Sequence, residues 1–407
     1  MEEEKTGIAA WFVTYRKRIL MIGIAAAAAV LILYAVLTLR EYTGYETVSS
    51  FEHSRESSDS YVKFCGNIVQ YGNDGITCLN ADGSSAWSKS YEMEQPILVS
   101  TDHYLVTADQ GGSTLYLFDE DGFIIDIETP YPIRQMALSD NGYVAVILEE
   151  SDACRILLYD SDGTVAAEGQ AHLGDTGYPA AAALSEDAGI LAVSYLTVGS
   201  GTLSSSLLFY DFADGGESAE AAVVSSYDYE GETIVRLAYL DGRFAAFGDT
   251  AVRIYGGSTP AVKKEIEVSE QIRSIALGDD CFALIYAADE EEASEYAADE
   301  EEAEESESAS GDAVVQTESE TVYAIDLYGK GGTRSCHALF SGEYQDVSLL
   351  ADGAAVILSS DGCTIITALG QTRFTCDFGE SICAVFSNRF FGYTFVFSDR
   401  IERVRLN

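Results

Sequence analysis

GITCLNADGSSAWSKSY (75–91), STLYLFDEDGFIIDIET (113–129) and CRILLYDSDGTVAAEGQ (154–170) share one grammar, and that grammar decides the fold. In each, an apolar run alternating at period two reaches Asp or Asn, turns at Gly, and leaves as a second alternating run. Such a pattern describes two antiparallel strands joined by a tight turn. SLLFYDFADGGESAEAA (206–222) follows the same rule.

Other paired runs intervene: PILVSTDHYLVTAD (96–109), IRQMALSDNGYVAVILEE (133–150), AAAALSEDAGILAVSYL (180–196), IVRLAYLDGRFAAFG (234–248), IRSIALGDDCFALIYAA (272–288) and VSLLADGAAVILSS (347–360). Together they make four-stranded units of roughly 35–50 residues, the period of a β-propeller blade. Units starting near 61, 95, 131, 178, 232, 270, 344 and 381 give eight blades; seven plus a divergent end is the alternative count. One such sheet cannot bury both of its faces, so the units must stack, and closing them into a ring removes the exposed ends. The last unit has material for only three strands, and Tyr45 to Phe51 is available to supply the fourth from the other end of the chain. The composition agrees: 47% hydrophobic residues, 25 Tyr and 18 Phe with 36 Gly and only 5 Pro suit many short strands joined by Gly turns.

ITCLNADGSSAW, ending at Trp87, resembles the pyrroloquinoline-quinone-type propeller repeat, in which a strand, an Asp, a Gly turn and a Trp-bearing strand recur. YLFDEDG and LLYDSDG resemble its looser form, also seen in WD40-like and other bacterial propellers. The overall plan resembles bacterial single-span, membrane-anchored propeller proteins of unassigned function. The resemblance implies an all-β fold over about 45–407; the quinone enzymes' adjacent Cys pair is missing, so no cofactor is carried over.

ILMIGIAAAAAVLILYAVLTL, 19–39, is uncharged and long enough at about 1.5 Å per residue to cross a hydrocarbon core of about 30 Å. Arg16, Lys17 and Arg18 precede it, which by the positive-inside rule predicts a cytoplasmic tail over 1–18 and an extracytoplasmic remainder. The run is longer than a signal peptide's apolar region and ends in bulky residues, favouring a retained anchor. A short stalk is expected over 40–60, with the propeller over 61–407.

Within that domain, 289–320 is nearly half acidic and repeats AADEEEA from Ala287 and Ala297, so it is expected to be a disordered insertion in the sixth unit. The net charge of −44 excludes nucleic acid as a partner, since phosphate neutralisation needs Lys and Arg.

No H-E-x-x-H, G-x-S-x-G, P-loop or dinucleotide fingerprint occurs. His53, His103, His172 and His337 are isolated, and surface or hydrogen-bonding roles are expected of them. The D-x-D-G segments at 119–122 and 160–163 resemble the start of a calcium loop but carry Pro130 and Ala171 where its final Glu belongs, so they are read as turns. Eight Cys form no C-x-x-C; Cys65/Cys78 and Cys363/Cys376 share one offset, as neighbouring strands would give, and remain either disulfides or buried thiols. No catalytic, cofactor-binding or metal-ligating residue is therefore assigned. The expected function is a non-catalytic binding or scaffold module for a protein or cell-envelope polymer on the membrane-distal ring face. A carboxylate-based glycan hydrolase or lyase at the propeller mouth is the alternative, because two acidic residues suffice for it and leave no motif.

Overall fold

The computed structural model describes Met21 and residues 40–52, 59–151, 153–172, 177–199, 201–212, 223–307, 321–388 and 392–407. Apart from Met21, the 19–39 span lies outside these residues, as does His53; among the described residues no helix is long and apolar enough to cross a membrane.

Thirty-two strands form eight four-stranded antiparallel sheets, so the count is eight blades and not seven. After β1 (Tyr45–Glu52), blade 1 is β2–β5 (Ser60–Phe64, Asn67–Tyr71, Gly75–Leu79, Ser85–Ser90) and blade 2 is β6–β9 (Pro96–Ser100, Leu105–Asp109, Thr114–Asp119, Gly122–Glu128). Blade 3 is β10–β13 (Ile133–Leu138, Val144–Glu150, Ala153–Tyr159, Val165–His172), and blade 4 is β14–β17 (Tyr178–Leu184, Ile190–Gly199, Thr202–Asp211, Val223–Tyr229). Blade 5 is β18–β21 (Arg236–Leu240, Arg243–Phe247, Ala251–Gly256, Ala261–Glu267), and blade 6 is β22–β25 (Ser274–Leu277, Cys281–Ala287, Val322–Gly329, Arg334–Ser341). Blade 7 is β26–β29 (Asp346–Leu349, Ala355–Leu358, Gly362–Ile366, Thr372–Asp377); β30–β32 (Ile382–Asn388, Gly392–Phe397, Arg400–Leu406) and β1 complete blade 8 in the order β1-β32-β31-β30.

Burial follows position in the blade. Second strands such as β11 and β31 are covered on both sides by adjoining blades and are almost wholly buried, which is why VAVIL and YTFVF are continuous apolar runs. Outer strands such as β9 and β21 are mostly exposed, burying only Gly122 and Ile127 of β9 and Ile266 of β21. The core lies between blades: Val106, Leu115 and Leu117 cluster with Val144, Val146 and Leu148 to join blades 2 and 3, while Phe247 meets Phe282 edge-on, centroids 5.2 Å apart, between blades 5 and 6. The seam between blades 8 and 1 is thinner, with Leu79, Val396 and Ile401 buried and Phe51, Tyr61 and Phe386 packed on them.

The Asp-Gly segments are turns. Asp119 Oδ1 accepts the N–H groups of Asp121 and Gly122 at 2.9 and 3.0 Å, and Asp160 Oδ1 accepts those of Asp162 and Thr164 at 3.0 and 2.8 Å. Gly163 (φ 77°) also tucks under the preceding blade, where a Cβ would sit 3.0 Å from Ile125 Cδ1; Gly83 lies against Phe51 in the same way. The closing seam thus repeats the packing of a regular one.

This up-and-down order sorts the loops. Turns within the first and second hairpins of every blade lie on one ring face, called here the Asp-Gly face. The turns from second to third strand, and the links between blades, lie on the other, the connection face.

Part of the acidic insertion departs from expectation. Glu290–Glu307 is a helix, α1; the remainder, 308–320, lies outside the described residues. Ala and Glu are strong helix formers, and Asp289 caps the start: its Oδ1 accepts from the Glu291 and Glu292 N–H groups (3.0 and 2.8 Å) while Glu292 Oε2 accepts from the Asp289 N–H (3.3 Å). That reciprocal capping box, with Glu290, Glu291 and Glu292 against the positive end of the helix dipole, stabilises a segment that composition alone would leave unfolded.

Candidate binding face and central channel

Two elaborations of the regular ring occur on the connection face. One is α1, between the second and third strands of blade 6. The other is the β15–β16 hairpin of blade 4, whose strands run ten residues each; the pairs Thr197↔Ser204, Val198↔Leu203 and Gly199↔Thr202 reach beyond both flanking strands. Its tip is apolar: Val198 and Leu203 are 77% and 48% exposed, and Tyr178 and Val235 nearby on the same face are more than half exposed.

α1 is tied to its blade by a buried polar network. Asp326, in the third strand of blade 6, is 2% exposed. Its Oδ2 accepts from the Tyr286 and Tyr328 hydroxyls, both at 3.0 Å, and from Arg334 Nη1 at 3.3 Å; its Oδ1 lies 2.7 Å from His337 Nδ1. Burial, reinforced by the adjacent carboxylate, raises both tyrosine hydroxyls above their usual range and keeps them donors. His337 Nε2 in turn lies 3.3 Å from Glu292 Oε1 on α1.

The central channel opens on the connection face into a cavity of about 310 Å³ built from three successive blades. Blade 1 contributes Asp59, Ser60, Tyr61 and Tyr71; blade 7 contributes Asp346, Ser348 and Leu358; blade 8 contributes Cys383 to Phe386. Gln70 Nε2 donates to Asp59 Oδ2 at 2.5 Å, and burial raises the Tyr71 hydroxyl, which Ser60 partly offsets.

On the Asp-Gly face, the Asp279 carboxyl in the first turn of blade 6 is raised by partial desolvation, then by Asp102 of blade 2 and by Asp280, with Lys63 pulling it down. Lys63 Nζ itself donates to the Ser387 carbonyl.

Of the four histidines, His103 pairs with Asp140 at 2.9 Å on the Asp-Gly face and His337 belongs to the Asp326 network; His172 ends β13. Among the described residues no cluster of three or more His, Cys, Asp or Glu could hold a metal. Cys65, Cys78, Cys154, Cys281, Cys336, Cys363 and Cys376 are unbridged thiols. The shared offset hid different placements: Cys363 and Cys376 stand opposite each other on β28 and β29, whereas Cys65 lies in the β2–β3 turn and Cys78 within β4. Burial pushes the Cys363 thiol up to about 12. The Asp326 network and the cavity escaped the sequence reading; the one available signal was a lone Asp within the apolar strand VYAIDLYG.

The model described as "Family of unknown function (DUF5711)" matches residues 38–406, and the chain belongs to that family. No curated protein matches it. Sqt1 of Saccharomyces cerevisiae is similar in structure, with 11% identity over 89% of this chain and 99% of that one and a TM-score of 0.55. BamB of Moraxella catarrhalis gives 10% identity, 89% and 100% coverage and a TM-score of 0.49. At these identities the likeness to Sqt1 concerns the fold alone.

Proposed function

We propose that this propeller is a non-catalytic binding module, tethered by residues 19–39 on the extracytoplasmic side of a membrane, which presents its connection face to a protein or cell-envelope partner. The carrying observation is that α1 and the long blade 4 hairpin both elaborate that one face. Other second-to-third-strand turns are short, and loops extended on a rigid scaffold are where recognition concentrates.

The path of the N-terminal segment supports the same orientation. Tyr45 lies at the Asp-Gly end of β1, opposite Leu406, and the preceding Tyr42 bridges to Phe374 at the edge of blade 7. Only Arg40 to Gly44 separate the span from the ring, at most about 18 Å of chain. The Asp-Gly face then turns toward the membrane and the connection face away from it. An exposed apolar tip beside an acidic helix suits a protein surface with its own apolar and basic residues.

Photo-crosslinking side chains placed singly at Val198 and Glu295, and at Asp162 on the Asp-Gly face, test this in intact cells. A common partner adduct from the first two and none from the third is expected. Adducts from Asp162 alone, or equally from all three, overturn the face assignment. A membrane-impermeant maleimide added to intact cells is expected to modify Cys introduced at Val198; protection until lysis would overturn the extracytoplasmic placement.

A further inference from the structure

We infer that the cavity at the connection-face mouth of the channel binds an organic cation, a primary ammonium or a guanidinium group. Its lining holds two carboxylates, Asp59 and Asp346, and among the described residues no basic side chain lines it. Asp346, exposed at the start of β26, lines the cavity and meets no donor among the described residues. Around the acids stand Tyr61, Tyr71 and Phe386, whose ring faces attract cations, with Leu358 and Val385 giving low-dielectric walls that strengthen the attraction.

The chemistry separates this cation from a metal ion. Calcium takes six to eight oxygen ligands and magnesium a near-ideal octahedron, whereas this lining mixes polar and apolar surface and brings only two carboxylates, with no cluster of three or more His, Cys, Asp or Glu among the described residues. An alkyl chain ending in a positive head satisfies both parts, the stem against Leu358 and Val385 and the head between the carboxylates. At about 310 Å³ the cavity lies at the small end of the roughly 300–1,000 Å³ typical of ligand sites, fitting a side-chain-sized group rather than a polymer. Its walls come from paired strands of three blades, so the site is preformed.

The inference narrows the binding-module reading and takes from it only the choice of working face. The titration below is done in detergent micelles, so its failure leaves the cross-linking test standing, and failure of that test leaves the cavity's selectivity intact. Full-length protein is titrated calorimetrically with three probes: 1,5-diaminopentane, a capped pentapeptide of one lysine flanked by glycines, and the same peptide with the lysine acetylated. Saturable binding of either cation, at least tenfold weaker for the acetylated peptide, is expected. The tighter of the two cations distinguishes a free amine from a basic side chain. Asp346→Asn should weaken binding by about tenfold, the equivalent of about 1.4 kcal/mol, with unchanged melting temperature, and Tyr61→Leu should weaken it too. No binding of either cation, equal binding of the acetylated peptide, or indifference to Asp346→Asn would overturn the assignment.

Discussion

Tyr45 faces Leu406 across the outermost strand pair of blade 8, so the two ends of the propeller segment meet in one sheet. The seam they close has fewer buried side chains than its neighbours, and Ile401 lies fully buried in it. Ile401→Ala should cost about 2–5 kcal/mol. Deleting residues 40–52 should cost more, because it leaves β32 as an open edge and removes Phe51 from Gly83. Thermal unfolding checks both; a deletion variant melting like the parent would show that the ring does not depend on β1.

Asp326 is itself buried and gathers contacts from Tyr286, Tyr328, Arg334 and His337. Replacing it with Ala strands two buried hydroxyls, while Arg334 and His337 keep access to water, and a loss of about 1–3 kcal/mol for each stranded hydroxyl is expected. Glu292→Gln removes the charge from both the His337 link and the α1 capping box, without touching the blade core, and should leave the melting temperature within about 1 °C. It should nevertheless speed amide exchange in residues 293–298. Equal melting temperatures for Asp326→Ala and the parent would mean the network is not structural.

Asp289→Ala removes the carboxylate that accepts both N–H groups of the α1 cap, a change usually worth about 1 kcal/mol of local stability. Since α1 lies outside the blade cores, the expected readout is local: faster exchange of the Glu291 and Glu292 amides and reduced far-ultraviolet helicity, with ring melting unchanged. A lowered melting temperature would instead show that α1 supports the ring.

How much of this was legible depended on range. The Asp-Gly turns are local, so alternation around Asp119, Asp160 and Asp352 marked strands, unit starts and the strand missing from the last unit. The Asp326 network was not legible, because Tyr286 is separated from it by the acidic insertion, and nothing local tells which carboxylate a tyrosine will meet. Asp59 and Asp346 line one cavity only because blades 1 and 7 flank blade 8 in a closed ring. α1 was masked by composition: self-repulsion among its acids argued for disorder, while the capping box at Asp289 and Glu292 is a signal of only two side chains.

Asp279 gives the protein a pH dependence of definite sign. Its carboxyl is raised in the folded state, so the native protein binds that proton more tightly than the unfolded chain. Below about pH 4 the group is protonated in both states and costs nothing. As pH rises, the unfolded chain loses the proton first, and stability falls until the folded carboxyl has ionised as well. Water still reaches the side chain and screens the effect. Asp279→Asn should therefore raise the melting temperature at pH 7 by only about 1–2 °C. The gain should disappear as pH falls below about 4, where parent and variant carry the same charge at this site. A gain that persists at low pH would trace to packing rather than to the charge facing Asp102, and a loss at pH 7 would show that the ionised carboxylate is stabilised by Lys63 more than it is opposed by its neighbours.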